Sequence, residues 1–493
     1  MPWVRAGNMA HRRWYPTNTT LWDGTVLITS GETEPSITDD LKYPELWQNG
    51  TLVTLNGAPK ALPTYPWMFQ APNGQVFYAG PGNELNYLNP AYVNPATQKT
   101  GTWTNVGQTS AYNYRGQGTA AMFWPGKILV VGGSNGTTVT NTAEVLDLTA
   151  TANGSVVGGD GLTYNRPVVT PAGTLRHARH HVNATLLPDG TVLVTGGSRI
   201  TSANDPNQGE LEAELWTPPA PDASGAPGPG PGTWTPVAAM QEARMYHSTA
   251  ALLPDGRVLS AGGEEIIKYD PFTPNLNNHC TAELYSPPYL FKGARPVISY
   301  APALASYGQP FAFGSPDAAS IDAVTWIRLS SVTHSFNMNQ RFLRLPITGR
   351  SATSVTATAP GSANDCPPGH YLVFALRNGV PSEAKIVAIG NNPCGATLNI
   401  ATSLTPYTCG STAQATAGGT NLGAAANYRW SIDGTYDSNY DGLTGVSVNL
   451  SPCRPQVTFA VEVIPACGGP ALTSSQSVSA TPFNSGGPVC DCE

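Results

Sequence analysis

An all-β chain built on a β-propeller is the architecture this sequence predicts, and three observations predict it. The first is composition. With 52 Gly and 45 Pro in 493 residues, and only 12% of residues charged against roughly 25% in an average soluble domain, the chain suits short strands joined by tight turns. The second is a recurring unit: a polar lead-in, a strand, a tight turn, a second strand and a glycine-rich stop. Its copies are RRWYPTNTTLWDGTVLITSG (12–31), TYPWMFQAPNGQVFYAGP (64–81), YRGQGTAAMFWPGKILVVGG (114–133), ARHHVNATLLPDGTVLVTGG (178–197) and ARMYHSTAALLPDGRVLSAGG (243–263). The third is spacing. The turn residues Asp23, Asn73, Pro125, Asp189 and Asp255 lie 50, 52, 64 and 66 residues apart, about one four-stranded blade each.

That period is close to the roughly 50 residues of a kelch repeat, so residues 1–285 are read as a kelch-type propeller. Outer-strand signatures fall between the copies: AEVLDL, AELWTP with GTWTPV, and AELYSP. Aligning the copies on their turns gives a sharper expectation. Eight residues before each turn stand Tyr15, Tyr65, Gln117, His181 and His247. Inner strands of a propeller all start near its axis, so these side chains are expected to converge there, as a metal site or as polar lining. Tyr246 and His247 pose a problem, because successive residues of a regular strand point to opposite faces. Both reach one point only if the backbone is irregular there.

From residue 286 alternating apolar positions and turn signals predict a small antiparallel sandwich, 286–391, ending with KIVAIG. Its unusual loop is SSVTHSFNMNQRFLRL, which sets His334 in a polar run. Residues 396–493 form a third, Ig- or PKD-like β module, with NYRWSIDG and VTFAVEVIPAC as strands around Trp430. A net charge of −7 without a run of Lys or Arg leaves no footprint for nucleic acid or an anionic membrane surface, and no stretch is long and apolar enough to span a bilayer. Six of the eight cysteines fall between Cys394 and Cys492, which implies disulfides and an oxidising, extracellular setting; Cys280 and Cys366 are a further candidate pair. The opening MPWVRAGNMAHRR lacks a signal peptide's apolar centre, so a secreted or cell-surface protein is expected to have more sequence upstream. The tail is a candidate for attachment to the cell surface or to carbohydrate.

Residues 1–391 resemble the galactose oxidase and glyoxal oxidase family of copper radical oxidases. The resemblance rests on RRWYPT, YHSTAALLPDGRV, AELYSPPYLFKGARP, SVTHSFNMNQRFLRLP and PPGHYLVFALRNGVPSEAKIV, in the family's order. It implies a propeller of seven blades, incomplete here, and an early-set Ig-like domain whose loop delivers a histidine along the propeller axis. It further implies one copper per chain held by Tyr15, Tyr246, His247 and His334. Tyr15 is then the equatorial tyrosinate that stores an electron hole as a tyrosyl radical, and Tyr246 the axial general base. Trp14 and His181 are expected around that set. The activity implied is oxidation of a small aldehyde or primary alcohol by O2, with release of hydrogen peroxide. The family's equatorial tyrosine is bonded to an upstream cysteine, but only fourteen residues precede Tyr15 and none is Cys, so the thioether is absent from this chain and impaired activity is expected. The family's stacking tryptophan would fall near Thr33, and no arginine lies between Arg13 and Arg115 to bind galactose, which favours a smaller substrate. The alternative is a non-catalytic propeller serving as a scaffold for carbohydrate or protein partners.

Overall fold

A computed structural model describes residues 7–32, 40–48, 50–109, 112–201, 205–222, 225–263, 281–390, 398–407, 410–418, 427–436, 438–440, 442–450, 456–464 and 472–479. Each turn-centred copy is the inner hairpin of one antiparallel sheet. Four sheets have four strands in sequential order from the inside outwards, and the fifth has three among the described residues. The first blade, for example, runs Thr17–Thr20, Val26–Thr29, Glu45–Gln48 and Thr51–Thr54. The aspartates and asparagine that mark the repeat close its turns with their own side chains. Oδ1 of Asp23, Asn73, Asp189 and Asp255 accepts the backbone N–H two residues on, at 3.0, 3.1, 3.1 and 2.9 Å. The inner strands Asn183–Leu186 and Val192–Thr195 are buried at every position, since blades stack face to face and leave neither side of the sheet to solvent.

Residues from Leu304 to Gly390 form a sandwich. Strands Pro310–Gly314, Ser354–Thr358 and Ile347–Arg350 make one sheet, and Leu304–Ser306, Lys385–Gly390, Gly369–Arg377, Ala323–Arg328 and Phe342–Leu345 make the other. Strand Ala323–Arg328 is wholly buried because its two faces meet different neighbours. Val324 and Trp326 point into the sandwich core, whereas Ala323 and Ile327 pack with propeller residues such as Leu186 and Trp216. Thr325 Oγ1 adds a hydrogen bond to the Pro188 carbonyl at 2.9 Å. The sandwich is therefore seated on the end of the propeller that carries the turns.

The tail forms two sheets, one of Asn399–Tyr407, Gly410–Gly418 and Gly445–Leu450, the other of Thr435–Tyr436, Asn427–Ile432, Gln456–Ile464 and Leu472–Ser479. Trp430 is fully buried between them and donates its indole N–H to the Leu443 carbonyl at 2.8 Å. Among the described cysteines, Cys366 is a free, buried thiol in the sandwich core; Cys280, its candidate partner, and the tail cysteines lie outside the described residues.

Candidate metal centre

The backbone resolves the problem of Tyr246 and His247. His247 has φ +60°, and so do its equivalents within a narrow band: Tyr15 +65°, Tyr65 +48°, Gln117 +53° and His181 +57°. A left-handed conformation costs a residue with a side chain on the order of 1–2 kcal/mol, so five repeats sharing it marks a built feature of the axis. The kink turns the chain back on itself just before the inner strand, and Tyr246 and His247 stack face to face with ring centroids 3.8 Å apart. Neighbouring axial residues are also tied through the backbone: Tyr65 N–H donates to the Tyr15 carbonyl at 3.1 Å and His181 N–H to that of Gln117 at 2.6 Å.

A second repeating device holds these kinks. Arg13, Arg115, Arg179 and Arg244, two or three residues before the axial position, run back into the blade as buried cations. One guanidinium N–H of each donates to the carbonyl ending the second strand: Ser30, Gly132, Gly196 and Gly262, at 2.9, 2.9, 3.3 and 2.9 Å. Each also pairs with a glutamate within the first three residues of the third strand: Glu45, Glu144, Glu214 and Glu283, at 2.9, 3.3, 2.6 and 3.6 Å. These clamps escaped the sequence reading, although their signal was present as an arginine before every axial residue but Tyr65 and the glutamate in AEVLDL, AELWTP and AELYSP.

His334 arrives from the sandwich. The strands Val332–Thr333 and Phe336–Asn337 pair as a two-residue hairpin with His334 and Ser335 at its tip, at φ +47° and +73°. Two successive left-handed residues are what a type I′ turn demands. The hairpin is anchored in the propeller: Phe336 packs edge-on to Phe69 with centroids 5.6 Å apart, and Gln340 bonds both the Leu186 N–H (3.0 Å) and the Ala184 carbonyl (2.8 Å). Arg341 donates to the Gln70 carbonyl at 2.7 Å.

At the axis the predicted residues meet. The hydroxyls of Tyr15 and Tyr246, 231 positions apart in sequence, are 2.7 Å apart. The His334 ring lies 4.4 Å from Tyr15, 5.2 Å from Tyr246 and 4.6 Å from His247, centroid to centroid. Trp14, 60% exposed, stacks on Tyr15 at 4.0 Å and forms part of the solvent-facing rim. His181 is buried beside the group, edge-on to Tyr246 at 5.1 Å, with its Nδ1 unpartnered. Tyr65 joins more closely than expected, stacked on His334 at 4.3 Å and tilted against Tyr15 at 4.8 Å. Gln117 shares the kinked backbone but adds no ring. Thr33 lies outside the described residues.

Burial and the neighbouring His247 lower the His334 pKa to about 4, and burial lowers that of His181 to about 2, so both rings are neutral near pH 7. His334 Nδ1 is 2.7 Å from the Thr333 hydroxyl, while its Nε2 is buried with no partner. An orphaned imidazole nitrogen in a cluster with two phenols and a second imidazole is a donor set suited to a divalent copper ion. Among the described residues no group of three or more His, Cys, Asp and Glu is placed to hold a metal, so a set of more than two side-chain ligands at the axis draws on the tyrosine oxygens.

The galactose oxidase-like early set domain matches residues 295–389, and the Kelch motif matches residues 115–150. Galactose oxidase of Gibberella zeae is 26% identical over 414 residues, covering 78% of this chain and 56% of its own. Aldehyde oxidase GLOX of Vitis pseudoreticulata is 28% identical over 404 residues, covering 76% of this chain and 72% of its own. The chain thus spans little more than half the length of the galactose oxidase it matches. A solved structure of a fungal alcohol oxidase of the AA5 family, in complex with copper, superposes with a TM-score of 0.64 at 26% identity, covering 78% of this chain and 76% of the other.

Proposed function

We propose, from the kinship of this chain with the galactose oxidase and glyoxal oxidase family, that it is a copper radical oxidase acting on small aldehydes or primary alcohols. The observation that carries the reading is the convergence of Tyr15, Tyr246, His247 and His334, with two phenol oxygens 2.7 Å apart and the buried Nε2 of His334 unpartnered beside them. Copper held by these four residues would supply one-electron redox chemistry and Lewis acidity. The alcohol gives up two electrons and two protons, and dioxygen takes up both pairs to leave as hydrogen peroxide. An aldehyde reacts in the same balance as its hydrate.

The roles of the chain's own residues follow from placement. Tyr246 Oη is the base for the substrate hydroxyl proton, because it sits at the common point and already shares a short hydrogen bond with Tyr15 Oη. Tyr15 stores the second oxidising equivalent on its ring, where stacking by Trp14 at 4.0 Å shields one face. His334 and His247 would supply the imidazole ligands. The Tyr15 radical is proposed without a thioether; the described cysteine, Cys366, belongs to the sandwich core. Action outside the cell, with the tail as an attachment module, belongs to the same proposal and is supported by the clustered tail cysteines. Among the described residues no helix is long and apolar enough to cross a membrane.

The test is peroxide release from the copper-loaded chain supplied with glyoxal-type aldehydes, primary alcohols and galactose. Peroxide from the small substrates, absent in Tyr15→Phe, is expected; a copper-loaded chain inert to all of them contradicts the assignment.

A further inference from the structure

We infer that Thr333 and Tyr65 act together as positioning residues for His334, fixing which ring nitrogen faces the metal and how the ring is turned. The inference rests on the copper reading above for the lone pair on Nε2, and on the hairpin geometry for the placement of the ring.

A neutral imidazole carries one N–H and one lone pair, and its partners decide which nitrogen holds which. His334 Nδ1 has a partner, the Thr333 hydroxyl at 2.7 Å. Its Nε2 has none and is buried. With the proton on Nε2, that nitrogen would have no lone pair to offer a metal. With the proton on Nδ1, that N–H donates to Thr333 Oγ1 and the buried Nε2 keeps a free lone pair. The Thr333 hydroxyl keeps its own proton to donate onward. Tyr65 contributes a second restraint. Its ring lies against His334 at 4.3 Å and 20°, which blocks rotation of the imidazole about its Cβ–Cγ bond.

The two restraints have different origins in the chain. Thr333 precedes His334 in the hairpin, and Tyr65 comes from an axial kink of the second blade, so the pair locks the sandwich's histidine to the propeller. Outer partners of this kind change metal affinity by 10- to 100-fold when removed.

The experiment uses the full chain with 15N-labelled histidine. In the metal-free protein, nitrogen NMR is expected to show His334 as the Nδ1–H tautomer, and Thr333→Val to shift it to a mixture. In copper competition with a chelator, Thr333→Val and Tyr65→Leu are each expected to weaken binding by about 10- to 100-fold and to alter the Cu(II) EPR hyperfine pattern, with Thr333→Ser restoring both. An Nε2–H tautomer in the parent chain, or Thr333→Val with unchanged tautomer, overturns the role of Thr333. Tyr65→Leu with unchanged affinity and spectrum overturns that of Tyr65. A parent chain that binds no copper defeats the copper reading, while the tautomer measurement still decides whether Thr333 orients His334.

Discussion

Removing the carboxylate charge of Glu45 is expected to unlock the first blade at the point where Tyr15 leaves it. Arg13 and Glu45 are 2.9 Å apart with side chains 0% and 1% exposed. The arginine also donates to the Ser30 and Tyr43 carbonyls at 2.9 and 2.7 Å, and the second Glu45 oxygen accepts the Ala10 N–H at 2.7 Å. Glu45→Gln keeps one of the two accepting oxygens, sets an amide NH2 against an N–H donor at the other, and strands the guanidinium as a buried, uncompensated charge. Breaking a pair so placed costs about 3–5 kcal/mol, a large share of the 5–15 kcal/mol that holds a typical domain. The control is Lys60–Glu84, closer at 2.7 Å but with side chains 23% and 50% exposed. Water and salt screen that pair, and Glu84→Gln is expected to cost under about 1 kcal/mol. Denaturant midpoints of the two variants, followed by tryptophan fluorescence, decide the matter. Equal losses, or a loss under about 1 kcal/mol for Glu45→Gln, would refute the claim that burial of the clamps holds the axial kinks.

Two further outcomes are expected. Gly197→Ala places a Cβ 2.6 Å from the His180 carbonyl at φ +93°, so it should lower the thermal midpoint sharply, whereas Gly225→Ala, also at positive φ (+83°) but in open space, should cost only the backbone strain. The metal-free chain should lose stability as pH falls. The folded-state pKa of His181 is below its unfolded value of 6.5, so its contribution is complete above pH 6.5 and is lost as pH falls towards about 2. At pH 5 that is 1.5 pH units, or roughly 2 kcal/mol. His181→Gln should flatten the slope between pH 6.5 and 5, and an unchanged slope of denaturant midpoint against pH would contradict the burial argument.

The architecture was legible because a propeller writes its geometry into a register. The turn residues aligned the copies, and the alignment alone brought Tyr15, Tyr65, His181 and His247 to one axis. The reach of Tyr246 and His247 to the same point was not legible, since it depends on a left-handed φ at a histidine, which sequence patterns attribute to Gly or Asn. The clamps were hidden for another reason. Arg179 and Glu214 stand 35 residues apart, and only blade closure brings them to 2.6 Å. Thr333 read as part of a polar loop; its meaning appears once the hairpin tip is seated between blades. Tyr65 was visible as an axial residue but not as the ring on which His334 stacks.

Copper stoichiometry and Cu(II) EPR of the purified full chain, beside a folded His334→Ala variant, test the central claim most directly. The account predicts one tightly held copper per chain with nitrogen hyperfine structure, lost or reduced to weak binding in His334→Ala. A folded parent chain that binds no copper, or binds it unchanged in His334→Ala, would contradict the assignment of the axial tyrosines and histidines as a metal centre.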